Sequence, residues 1–381
     1  MSTKKFFNLL GLLIITTMIM AACQPAPTPA PAAPAAPAAP AAPAAPAATA
    51  APAAPAAPAA GNHQAAPVAP KTPMAAKDIV VAGVVFQDDQ FMKSMVQGFQ
   101  DAGKKLGVKQ VIIGNSSNDQ SKETELINTY MSQGVNGIAI APLSPTVSIE
   151  ALKQANDKGV AIAVTNSGGF SDVGFVVGGY MSDNTANGSQ VGDAAVAFIK
   201  AQKLTGTIQV GIVNYDTLKP EESKLRYTGF EDALKKAGVD FKVVATQSAW
   251  LQDTALTAAA DMITANPDIQ IIFACNEGGT IGTGQAVKQA GLTGKVAVFG
   301  YDGSDQITSM LISGDLQAAI AQDPYGQGTL AMTDLVNYLE GKPGSSVGKL
   351  TIAPGILLSA TDKAAVNKWR VSNGLKELPI K

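Results

Sequence analysis

The sequence predicts an α/β protein built as two doubly wound, Rossmann-like lobes joined by a multi-strand hinge. Three observations predict it. Short β-branched runs alternate with amphipathic helical stretches from about residue 78 onward. The alternation restarts near residues 182–185, so the rhythm occurs twice. The helical stretches repeatedly close on glycine, at Gly107, Gly134, Gly159, Gly238, Gly291 and Gly341, the residue that ends a helix at least steric cost.

Taken in order, the first series reads strand 79–86, helix 91–106, strand 111–114, helix 122–133, strand 137–141, helix 147–158 and strand 160–164. Ser121 is a candidate cap ahead of the helix that contains Glu123. The second series opens with helix 187–201 and continues with strand 208–213, helix 221–237, strand 241–245, helix 254–264, strand 269–274, helix 280–289 and strand 296–300. Asp253 is the candidate cap of helix 254–264. Helix 306–313, strand 316–322, helix 325–339, a strand near 350–357 and a helix near 362–371 follow. These last segments are expected to cross between the lobes. The expected partition is residues 78–182 with 323–350 in an N-terminal lobe, and 183–322 with 351–381 in a C-terminal lobe.

The first 77 residues have a different character. Lys4 and Lys5 precede an apolar run from Phe6 to Met20, and then Ala21-Ala22-Cys23, the layout of a signal peptide over residues 1–22. About 15 apolar residues fall short of the roughly 20 that span a bilayer. The Ala-Ala-Cys junction resembles a bacterial lipobox, which implies lipidation of Cys23. From Gln24 to about Ala76 the chain repeats Pro-Ala-Ala with almost no charge. Such a segment buries too little to offset its ordering entropy, so residues 23–77 are expected to form a lipidated cysteine and a solvated tether.

Composition excludes several classes. The formal charge is −2, with no basic tract past the leader, so no nucleic-acid footprint exists. The one histidine is His63, inside the Ala/Pro run, which removes His-dependent catalysis and His-ligated zinc from the globular part. Cys275 sits in the apolar run Ile-Ile-Phe-Ala-Cys and reads as a small buried hydrophobe. No alternating acidic loop with a distal glutamate is present, so no calcium, other metal or cofactor is expected. Asp88, Asp89, Glu277 and Asp302 lack the fixed spacing of a glycosidase pair, and no enzyme is expected.

In doubly wound sheets ligands bind beyond the carboxyl ends of the strands. There the chain places Gln87, Asp88, Asp89, Gln90 and Phe91; Thr165, Asn166 and Ser167; Asn214, Tyr215 and Asp216; Trp250; Asn276 and Glu277; Tyr301, Asp302 and Gly303; and Gln322 with Asp323. Any one of these polar residues alone reads as a turn or helix cap. Together they form a mixed donor and acceptor set with aromatic rings, suited to a neutral polyhydroxylated ligand: carboxylates and amides engage paired hydroxyls, and rings pack on C–H faces.

Four segments carry a resemblance: Phe299-Gly300-Tyr301-Asp302-Gly303, Arg226-Tyr227-Thr228-Gly229-Phe230, Phe273-Ala274-Cys275-Asn276-Glu277 and Ala319-Ile320-Ala321-Gln322-Asp323-Pro324. In their order and spacing from about Asp78 to Leu358, the chain resembles the ribose-type periplasmic sugar-binding proteins that serve ABC importers. That resemblance implies a type I periplasmic-binding fold whose two lobes close over the ligand as a clamp. By motif match it implies ligand contacts from Asp89, Phe91, Met92, Asn166, Arg226, Trp250, Asn276, Tyr301, Asp302 and Gln322. The chain departs from the family at two points: Asn166-Ser167 stands where an Asp-Arg pair is frequent, and Asp89 where Asn is frequent. One basic fork is lost and one acid gained, which disfavours an acidic sugar and puts ribose itself in question.

The expected function is therefore an exported, lipid-anchored solute receptor on the outer side of the bacterial cell membrane. It would work as a monomer that delivers a sugar or sugar-like ligand to an ABC permease. A sensory receptor presenting a sugar or furanosyl signal to a chemoreceptor or kinase would use the same pocket and stays open. A repressor of the same fold would need a helix-turn-helix where this chain has its leader and tether. Hinges are expected near Ser182–Asp183, Gln322–Asp323 and residues 350–354.

Overall fold

The computed structural model describes residues 66–68, 72–170 and 173–380. The expected leader 1–22, Cys23 and most of the 23–77 tether lie outside the described residues. The end of that tether departs from the expected solvated chain. The Met74 amide donates to the Leu339 carbonyl at 2.9 Å, the Met74 side chain packs on the adjacent core, and Ala76–Asp78 makes a 3-10 turn. Methionine supplies apolar surface that the Ala/Pro repeat lacks.

The first lobe begins with β1 (Val80–Val85), α1 (Gln90–Leu106), β2 (Gln110–Asn115), α2 (Gln120–Ser132), β3 (Gly137–Ile140), α3 (Val147–Asp157), β4 (Ala161–Thr165) and β5 (Val176–Ser182). The second holds α4 (Asn184–Ala201), β6 (Ile208–Asn214), α5 (Pro220–Lys236), β7 (Phe241–Ser248), α6 (Gln252–Ala265), β8 (Ile271–Ala274), α7 (Glu277–Gln289), β9 (Ala297–Tyr301), α8 (Asp305–Ser313) and β10 (Ala318–Ala321). The chain then returns with α9 (Pro324–Leu339), which packs on α1 and the first sheet. It closes with β11 (Leu350–Ala353), β12 (Ile356–Ser359) and α10 (Lys363–Ser372).

The first sheet runs β11-β5-β4-β3-β1-β2 and the second β12-β10-β9-β8-β6-β7. Every pairing is parallel except β10 with β12. Helices cover both faces of each sheet, so central strands are buried on both sides and read as continuous apolar runs. In the first lobe one layer gathers Phe99, Met95 and Leu335 and the opposite layer Ile127, Leu152 and Phe175. In the second, Phe230 stacks on Phe273 with centroids 4.5 Å apart. Truncating such a ring to alanine costs about 3–5 kcal/mol.

Three segments cross between the sheets within the described residues, at Asp183, at Gln322–Asp323 and at Pro354–Gly355. The partition expected at 350/351 moves to Pro354–Gly355, because β11 pairs in register with Gly179–Ser182 of β5 and stays with the first lobe. The single strand expected near 350–357 is thus two strands in two sheets. Gly355 permits the break: a Cβ there would lie 2.6 Å from Ile320 Cγ1 and 2.7 Å from Asn187 Oδ1. β5, absent from the expected series, is a fully buried strand. Two caps also differ. Asp119, not Ser121, caps α2, accepting from the Ser121 and Lys122 amides, and α6 begins after Leu251 without a side-chain cap. Among the described residues no helix is long and apolar enough to cross a membrane.

Candidate functional site

The strand order reverses between β1 and β3 in the first sheet and between β6 and β8 in the second, and loops at such switch points leave a crevice. The two crevices face one another across a shared cavity. Nine of the ten residues expected to contact ligand line it: Asp89, Phe91, Met92, Asn166, Arg226, Trp250, Asn276, Asp302 and Gln322. Its free volume is small, about 40 Å³.

Each of these side chains is placed by its local fold. Asp89 caps α1: Oδ1 accepts the Met92 amide at 2.8 Å and Oδ2 accepts Gln87 Nε2 at 2.6 Å. That cap aims Phe91 and Met92, both buried in the first helical turn, at the cavity. Asn276 caps α7, accepting the Gly279 amide at 3.2 Å, while its Nδ2 donates to the Trp250 carbonyl at 2.8 Å. One residue therefore fixes a helix start and the neighbouring aromatic. Asn166 and Asp302 follow β4 and β9 with φ of 49° and 75°, the left-handed region that non-glycine residues seldom occupy. Such backbone strain concentrates at functional sites.

Arg226 is held from several sides. Its Nε donates to Asn184 Oδ1 and its Nη1 to the Cys275 carbonyl, both at 2.8 Å. The guanidinium lies 3.9 Å from the Tyr301 ring centroid and 5.1 Å from that of Tyr215. Tyr301 does not line the cavity. It is fully buried behind Arg226 with its hydroxyl on Asn184, so its place is that of a platform. Cys275 is buried, and burial pushes its thiol well above the usual range, in keeping with an inert core residue.

Among the described residues, two side chains hydrogen-bond from one lobe to the other, and Leu218 packs on the first-lobe core. Lys219 Nζ, from the second lobe, donates to the carbonyls of Pro142 at 3.2 Å and Asn166 at 3.0 Å, and pairs with Glu222 at 2.9 Å. Glu277 Oε2, also from the second lobe, accepts the Phe91 amide at 3.0 Å. The site's acids are perturbed upward. Burial raises Asp89 to about 6, with the Asp302 charge adding to it against the Met92 and Gln87 hydrogen bonds. Burial raises Glu277 to about 8, reinforced by Asp89 and Asp302. Asp302 is raised by burial while Arg226 opposes the shift.

Lys219 and Glu222 line the cavity but were not among the expected contacts; Tyr215, Phe86, Gln87 and Leu218 join them. Lys219 carried a readable signal. A lysine directly ahead of Pro220-Glu221-Glu222 sits at a helix N-terminus, where the macrodipole disfavours a cation. Its place needs another cause, and the carbonyls across the cleft supply it. Among the described residues no group of three or more His, Cys, Asp or Glu side chains is placed to hold a metal.

Comparison with known proteins agrees with this geometry. A family model described as periplasmic binding protein domain matches residues 79–343. The ribose import binding protein RbsB of Haemophilus influenzae is 30% identical over 70% of this chain and 88% of its own length. The D-allose-binding periplasmic protein of Escherichia coli is 30% identical over 65% of this chain and 80% of its own. Among solved structures, a carbohydrate transporter solute binding protein from Agrobacterium radiobacter, in complex with D-arabinose, superposes with a TM-score of 0.68 at 26% identity. That match covers 78% of this chain and 98% of the other.

Proposed function

The chain belongs to the periplasmic binding protein domain family, and on that premise we propose that it captures a sugar or sugar-like polyol between its lobes and delivers it to an ABC permease. As a member of that family it is a binding protein and not an enzyme. The observation that carries the proposal is the convergence on one interlobe cavity of Asp89, Asn166, Asn276, Asp302 and Gln322 with the rings of Phe91 and Trp250. Amide and carboxylate groups satisfy hydroxyls, and the rings cover apolar ring faces. The relatives named for ribose and allose, and the neighbour holding D-arabinose, support this ligand class.

The protein works outside the cytoplasm, as its family does. We assign its attachment to a lipid on Cys23, followed by the Ala/Pro tether, which in extended polyproline form spans at most roughly 150 Å at about 3.1 Å per residue. A monomer suffices, since one chain supplies both walls of the cavity.

A thermal-shift screen of monosaccharides and sugar alcohols tests the proposal, because a ligand that binds only the native state raises its melting temperature. A hit whose shift disappears in Asp302→Ala and Asn276→Ala supports it. Equal shifts in the parent and both variants would place the ligand elsewhere. Metabolic labelling with a radioactive fatty acid, lost in Cys23→Ala, tests the anchor.

A further inference from the structure

We propose that the ligand is a polyol bearing a cationic nitrogen, an amino sugar, imino sugar or amino sugar alcohol, with that nitrogen seated between Asp89 and Asp302. This deepens the reading of the interlobe cavity as a polyol site and rests on it.

Acids outnumber the free cations around the cavity. Asp89 and Asp302 line the cavity, and Glu277 stands close enough for both to repel it. Two cations line the same cavity. Lys219 already pairs with Glu222 at 2.9 Å and spends its other donors on the Pro142 and Asn166 carbonyls. An ammonium has three N–H donors, so nothing remains for a ligand or for Asp89. Arg226 spends Nε and Nη1 on Asn184 and Cys275 and faces Asp302 through space. Two cavity carboxylates, with the Glu277 carboxyl beside them, are thus set against one guanidinium. Among the described residues none of the three has an ion-pair partner.

A second, independent observation points to a donor-rich ligand. Gln322 lines the cavity and is only 8% exposed. Its Nε2 donates to Asp302 Oδ1 at 2.5 Å, while its Oε1 has no hydrogen-bond partner. A buried acceptor without a donor costs about 1–3 kcal/mol. An ammonium between Asp89 and Asp302 brings three donors, enough for both carboxylates and Gln322 Oε1, and a charge that offsets their burial. A hydroxyl brings one donor and no charge.

The test is calorimetric titration of the full-length protein at pH 7.4 with matched pairs: glucosamine against glucose, galactosamine against galactose, 1-amino-1-deoxysorbitol against sorbitol, and 1,4-dideoxy-1,4-iminoarabinitol against arabinose. The expected result is at least tenfold tighter binding of the nitrogen-bearing member in the pair that binds, a preference erased in both Asp89→Asn and Asp302→Asn. Asparagine also serves as a helix N-cap, so Asp89→Asn keeps the start of α1. Neutral members binding as tightly as their amines would overturn this inference and leave polyol capture standing. A preference that survives both substitutions would overturn the seat. No binding by any member of either series would overturn both readings.

Discussion

Lys219 Nζ lies 3.0 Å from the Asn166 carbonyl oxygen, so a second-lobe ammonium closes directly on the loop that follows a first-lobe strand. Replacing the lysine alone would strand Glu222, 6% exposed, as an unpaired buried acid, which costs about 3–5 kcal/mol. The informative variant is therefore Lys219→Met with Glu222→Gln. It removes the bridge without leaving a charge. Stopped-flow kinetics should show ligand dissociating roughly ten- to hundredfold faster, the equivalent of about 1.4–2.8 kcal/mol. An unchanged dissociation rate would show that the bridge does not hold the lobes together.

Glu277 gives the protein a pH signature. Its carboxyl is raised from 4.5 to about 8, so between those values the folded protein holds a proton that the unfolded chain has released. The stability that this carboxyl contributes is then fully present below about pH 4.5 and is lost as pH rises toward and through 8. At about 1.4 kcal/mol per unit, the contribution is at most about 5 kcal/mol. Glu277→Gln, uncharged throughout, should melt several degrees above the parent at pH 8 and lose that advantage at pH 5. A melting difference that stays constant across this range would contradict the assigned burial and repulsion.

Asn276 has two separable roles. As the cap of α7 it accepts the Gly279 amide, and through Nδ2 it holds the Trp250 carbonyl. Asn276→Ala should lose about 1 kcal/mol of stability together with ligand binding. Asn276→Ser restores a capping oxygen but is too short to reach Trp250. It should recover most of the melting temperature and little of the affinity, as read by thermal melts beside calorimetry. Joint recovery of both would mean that the Trp250 contact is unimportant.

How far these features could be read from the chain depended on which force placed each residue. The strand-end positions were legible because parallel sheets put ligand groups beyond strand C-termini, and nine of the ten chosen residues meet in one cavity. Tyr301 lies outside the cavity lining because a residue adjacent to Asp302 on the strand end faces the opposite side, under Arg226. β5 went unread because its Gly178-Gly179 pair interrupts the apolar run and its two buried faces remove any alternation. The Pro354–Gly355 break depends on how closely Ile320 and Asn187 approach, a contact between distant segments that no local pattern encodes. Lys219 is marked in the chain only by its wrong-signed place at a helix start.

We place the ligand in the interlobe cavity, organised around Arg226. Calorimetric titration of the best ligand from the screen into the parent, Arg226→Ala and Lys368→Ala tests it most directly, with melts of all three to confirm folding. Lys368 is exposed on α10, away from the cavity lining. The expected result is one-to-one binding by the parent, the same affinity in Lys368→Ala, and a loss of at least about a hundredfold in Arg226→Ala, roughly 2.8 kcal/mol. Arg226→Ala binding within twofold of the parent would contradict it.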